Sequence, residues 1–174
     1  MWRLFLFWAL FPFALFGNRT TLLHSGAIDS VVESMTLEEK VGQLFFSFFY
    51  GEELDAQAEE MIKETHLGNV MYYSWANGLQ SLQQVRRLSS QVQETLCKYT
   101  SLPGLIAVDQ EGGYVFRLGG QFTAFPGNMP LGAIGDETLT RQVGLAMAQE
   151  LKACGINVNF APVVDINRNQ SNPV

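Results

Sequence analysis

The stretch with the most chemical content runs from Leu105 to Leu118, LIAVDQEGGYVFRL. An apolar strand delivers Asp109, Gln110 and Glu111 to its exit, and Gly112-Gly113 lets the backbone turn sharply or approach a ligand closely. Arg117 follows within reach. Carboxylates and a guanidinium beside permissive backbone suit a sugar, whose hydroxyls both donate and accept hydrogen bonds. Asp109 and Glu111 do not read as an acid/base pair. Residues i and i+2 of an extended segment lie roughly 6.5 Å apart and point the same way. A glycosidase needs carboxyls on opposite sides of the scissile bond, roughly 5 to 9.5 Å apart. Two same-side carboxylates bind better than they cleave, and oxygen-rich metal sites want more than two ligands. A plain loop is the competing reading, with Asp109 capping the turn and Glu111 pairing with Arg117.

Other sites are poorly supported. Gly112-Gly113 has no third glycine at the spacing of a dinucleotide cradle, and a phosphate-binding GK[ST] loop is absent. Two Cys (Cys97, Cys154) and two His (His24, His66) make a zinc cluster improbable. His66 reads as a capping or surface residue at a helix end. The two thiols read as separate and buried rather than paired. Trp75 and the Tyr72-Tyr73 pair could stack on sugar faces, although core packing is the commoner use of such rings.

The elements that must position Asp109 follow from the apolar pattern. Thr36-Leu37-Glu38-Glu39 is a capping box with Thr36 as N-cap. Gln43–Phe49 and Gly68–Tyr73 read as buried strands, and Leu105–Val108 as a third. Ile156 to Asp165 reads as a fourth. Helical stripes lie at 53–65, at Leu79 through Leu96, and at Leu139 through Leu151, the last stopped by Gly155. The order β-α-β-α-β-α-β implies right-handed crossovers and a parallel sheet. Gln110 to about Gly135 reads as a long loop, and loops of that length are usually functional.

Length and composition set the frame. The chain has 174 residues, 47% hydrophobic and 16% charged, with a net charge of −6. One modest core is supported and disorder is excluded. Nothing supplies the run of cations that nucleic-acid binding needs. Arg3 precedes an apolar stretch from Leu4 to Phe16, and Ser25-Gly26-Ala27 offers small residues for a peptidase. Residues 1–27 therefore read as an export signal or N-terminal anchor, through which alone a membrane would be met. An exported location, periplasmic or extracellular, follows, or anchoring through residues 1–17. Four strand–helix units cannot close a (β/α)8 barrel of about 250 residues, so length favours an open doubly wound sheet. The gathering of unusual residues past the C-termini of strands three and four, with the long loop after strand three, tips the reading the other way, towards the barrel. Both folds place sites there.

Several motifs together resemble glycoside hydrolase family 3, and within it the bacterial β-N-acetylhexosaminidases. They are Met35–Leu44 (MTLEEKVGQL), Ala107–Gly113 (AVDQEGG), Phe125-Pro126, Leu131–Asp136 (LGAIGD) and Gly155–Asp165 (GINVNFAPVVD). The resemblance implies the N-terminal half of a (β/α)8 TIM barrel over residues 28–174, about four βα units and incomplete. It implies a retaining glycosidase that releases terminal β-linked N-acetylglucosamine from an oligosaccharide or muropeptide, with no metal or organic cofactor. By position, Asp109 would bind hydroxyls of the terminal sugar and Arg117 would help hold it. Glu111 and Asp165 would support the pocket, Asp165 as scaffolding at the end of strand four. Tyr114 stands where the family usually has Arg. The resemblance also places the family's Lys-His motif, its His–Asp acid/base loop and its Asp nucleophile on sequence after Val174, so that no catalytic group is expected within this chain and a truncated parent is. Two alternatives stay open: a β-glucosidase, and a non-catalytic sugar-binding or interaction protein that uses the half-barrel.

Overall fold

The computed structural model describes residues 25–166 and 168–172. The expected export segment at 1–24 lies outside them. The chain divides into two compact units between Thr36 and Leu37. The first contributes helix α1, Ser25–Ser34, so Ser25-Gly26-Ala27 forms its opening turn. Among the described residues no helix is long and apolar enough to cross a membrane.

The second unit begins with α2 (Leu37–Gly42), directly after Thr36 as the capping box predicts. There follow β1 (Phe46–Ser47), α3 (Ala56–Thr65), β2 (Asn69–Met71), α4 (Ser74–Asn77), α5 (Leu82–Thr100), β3 (Leu105–Val108), α6 (Asn128–Ile134), α7 (Glu137–Ala153) and β4 (Val158–Asn159). All four strands are parallel, in the order β1-β2-β3-β4. The starts of α3 and α7 carry side-chain caps. The Asp55 carboxylate accepts the Ala58 N–H at 2.8 Å, and Asp136 accepts that of Leu139 at 3.0 Å.

Alternation along the strands splits the sheet into two faces. Val70, Tyr72, Ile106 and Val108 join Ile62 of α3, Val85, Leu88, Val92 and Leu96 of α5, and Leu151 of α7 in one buried cluster. Asn69 and Met71 of β2 with Tyr73 beyond it, and Leu105 and Ala107 of β3 with Asp109 beyond it, belong to the other face. That face is concave. A flat sheet would hold β1 and β4 about 14 Å apart, yet the Phe46 and Phe160 rings meet edge-on with centroids 5.3 Å apart. A parallel sheet curled this way, helices outside, is the N-terminal portion of a (β/α)8 barrel.

The strands are shorter than the apolar runs suggest because asparagine side chains complete the ladder beyond them. Asn69 donates to the carbonyls of Gln43 and Phe45, and accepts the Leu105 N–H. Asn157 accepts the Ile106 N–H at 2.7 Å and donates to Gly104. β4 stops at Asn159 rather than running to Asp165, since Pro162 has no N–H to give a ladder. The long loop expected from Gln110 to about Gly135 instead holds α6 and a Gly112–Val115 bridge.

Both cysteines are free. Cys154 is buried as expected, but Cys97 is exposed, because α5 turns that position outward. Burial, and then the Glu150 carboxylate, push the Cys154 thiol up to about 11. A thiol whose pKa rises on folding stabilises the native state below its ordinary value of 9.0 and loses that contribution as pH climbs toward about 11. A chromogenic disulfide reagent at pH 8 should titrate one thiol quickly in native protein and the second only in denaturant. Two fast thiols would place Cys154 in solvent.

Candidate functional site

Asp109 is the first residue past β3, on the concave face. Its Oδ2 lies 3.5 Å from the Arg117 guanidinium, with the two side chains 25% and 28% exposed. Arg117 therefore pairs with Asp109, not with Glu111 as a plain loop would have it. The Arg117 Nε is buried and meets no acceptor.

Gln110 makes this geometry. It points to the helix side, 1% exposed, and its Oε1 accepts the N–H groups of Arg117 at 2.8 Å and Leu118 at 3.1 Å. Its own N–H and carbonyl are held by the Asn159 side chain at 2.9 and 3.0 Å. One buried amide thus folds the segment back so that Arg117 faces Asp109. Glu111 donates its N–H to Val115, and Gly113 donates to Phe125. The first bond closes the small bridged turn at Gly112, and the second ties that turn to the Phe125 segment. Gln110 was visible in the sequence only as one letter between two carboxylates. Its pairing with residues seven and eight positions on was the missed signal.

The remaining expected residues scatter. Asp165 is exposed, on chain beyond Pro162 rather than at the end of β4. Tyr114 is 74% exposed, so the residue that departs from the family pattern stands outside the ion pair. Among the described residues no group of three or more His, Cys, Asp and Glu could hold a metal. Tyr72 is core and entirely buried, its hydroxyl 3.3 Å from that of Ser89. Burial raises its pKa. Tyr73 and Trp75 depart from the core expectation and lie on the concave side with Phe48 and Tyr50.

Residues 36–174 match the model of the Glycosyl hydrolase family 3 N terminal domain. The chain belongs to glycosyl hydrolase family 3. Among family 3 relatives, beta-hexosaminidase A of Pseudoalteromonas piscicida is 40% identical over 127 residues, which cover 70% of this chain and 21% of that protein. A solved family 3 beta-N-acetylglucosaminidase from Paenibacillus sp. superposes with a TM-score of 0.75 at 43% identity, over 81% of this chain and 26% of that one. Neisseria gonorrhoeae NagZ, solved with N-trifluoroacetyl-D-glucosamine, gives a TM-score of 0.62 at 28% identity, over 70% and 36%. The chain thus spans about a fifth to a third of the length of these family 3 proteins.

Proposed function

We propose that this chain forms the sugar-recognition side of a family 3 β-N-acetylhexosaminidase, with Asp109 and Arg117 gripping hydroxyls of a terminal β-linked N-acetylglucosamine. The Asp109–Arg117 pair on the concave face at a strand exit carries the reading. An ionised carboxylate accepts hydrogen bonds only, and a guanidinium donates only, so together they match a group that does both. The unpartnered Nε of Arg117 marks a donor inventory that the protein alone does not satisfy. The names of the relatives supply the sugar, and the C-terminal ends of barrel strands are where such folds carry their sites. Bond cleavage is assigned to groups other than these. The localisation proposed is outside the cytoplasm, resting on residues 1–27 alone.

Calorimetric titration of the whole chain with N-acetylglucosamine tests this. Asp109→Ala should weaken binding by about 10- to 150-fold, the worth of hydrogen bonds to a charged group, and Asp109→Asn by less. An aryl N-acetylglucosaminide should bind with the same dependence on Asp109. Unchanged affinity in Asp109→Ala would overturn the assignment. Turnover abolished by that substitution would move Asp109 from binding to catalysis.

A further inference from the structure

The concave face carries four aromatic rings that the Asp109 grip does not use. Phe48, Tyr50, Tyr73 and Trp75 come from the exits of β1 and β2. Phe48 sits beneath the other three, edge-on to each, with centroids 5.6, 5.5 and 5.1 Å from Tyr50, Tyr73 and Trp75. Tyr73 and Trp75 are stacked at 5.1 Å with planes 28° apart, and Tyr50 leans on Trp75 at 5.8 Å. Despite these contacts Tyr50 is 68% and Trp75 60% exposed.

Two features argue for a bound ring. The first is register. Met71 pairs with Ala107, and the Tyr72 N–H donates to the Ala107 carbonyl, so Tyr73 stands level with Asp109 on the adjacent strand. That is about 4.8 Å away across the sheet. Extending the Ser47–Val70 pairing puts Tyr50 level with Tyr73, one strand further along. The rings therefore continue the row that Asp109 begins. The second is rigidity. The fully buried Asn77 donates to the carbonyls of Phe49 and Gly51 and accepts the Tyr73 N–H at 3.1 Å. One amide thus fixes the backbones of both exits, which removes much of the ordering cost of binding.

We infer that Tyr50, Tyr73 and Trp75 form a stacking wall for a second saccharide ring, adjoining the one held at Asp109. The inference rests on the proposed saccharide site and adds its length preference. A pyranose with equatorial substituents presents C–H groups on both faces, which suit the electron-rich face of an indole or phenol. A wall without charge accepts such a face and makes no demand on its hydroxyls.

The test uses the whole chain with Trp2 and Trp8 replaced by Phe, so that Trp75 is the sole indole. It is titrated with N-acetylglucosamine and with its β-linked disaccharide. The disaccharide should shift Trp75 emission to the blue and bind more tightly than the monosaccharide. Trp75→Ala, followed calorimetrically, should cut that preference roughly two- to tenfold, and Trp75→Tyr should restore most of it. Equal affinities for the two sugars, or a preference untouched by Trp75→Ala, would overturn the wall while leaving the Asp109 site standing. Failure of both sugars to bind would remove both.

Discussion

Replacing Gln110 with alanine should lower stability by about 2–5 kcal/mol and release Arg117 from Asp109. Its Oε1 is the acceptor for two backbone N–H groups, that of Arg117 in a partly buried bond and that of Leu118 in a buried one. Each buried donor left unpaired costs about 1–3 kcal/mol, and truncating a side chain that is only 1% exposed leaves a cavity as well. Gln110→Met separates the two contributions, since it keeps the volume but offers only a weakly accepting sulfur. Urea midpoints should fall in both variants, and saccharide affinity should fall with them. A Met variant as stable as the parent would mean that the two N–H groups find other acceptors, and that Gln110 does not hold the site together.

Gly112→Ala should cost about 2–4 kcal/mol and damage the same site by another route. Gly112 has φ +83°, a left-handed conformation that costs an L-residue about 1–2 kcal/mol. A methyl group there would also run into backbone of the neighbouring segment, the Pro126 carbonyl first, with the Phe125 oxygen at 3.1 Å. Backbone on both sides gives little room to relax, because Gly113 donates to the Phe125 carbonyl at 2.9 Å. Gly144, within α7, has nothing within 4 Å of a built Cβ. The same exchange there should raise stability by about 0.5–1 kcal/mol. Thermal denaturation of the two variants side by side checks both signs. A neutral Gly112→Ala would show that this turn can shift without loss.

Much of the scaffold is legible without coordinates. The apolar runs locate all four strands, and Gly155 ends α7 where the periodicity stops. Asp109 and Arg117 stand out because two carboxylates, a pair of glycines and a guanidinium follow an apolar strand within nine residues. What stays hidden depends on segments distant in sequence coming together. Asn69, Asn77, Asn157 and Asn159 look like polar interruptions, yet each bonds backbone from another part of the chain. Helix α6 lacks an amphipathic period long enough to register in seven residues. Of the aromatic wall, Trp75 and Tyr73 stand out as candidate stacking rings, whereas Phe48 and Tyr50 merge with the apolar run before them. Only strand register decides that Tyr72 goes inward to the helices while Tyr73 faces the concave side.

The meeting of Phe46 and Phe160 bears on how a fold of this kind grows. A level ribbon of strands can be lengthened by almost any partner. Once its first and last members touch across the hollow, a newcomer must follow an arc already drawn. The Phe46–Phe160 contact is thus a brace on the bend of these four strands.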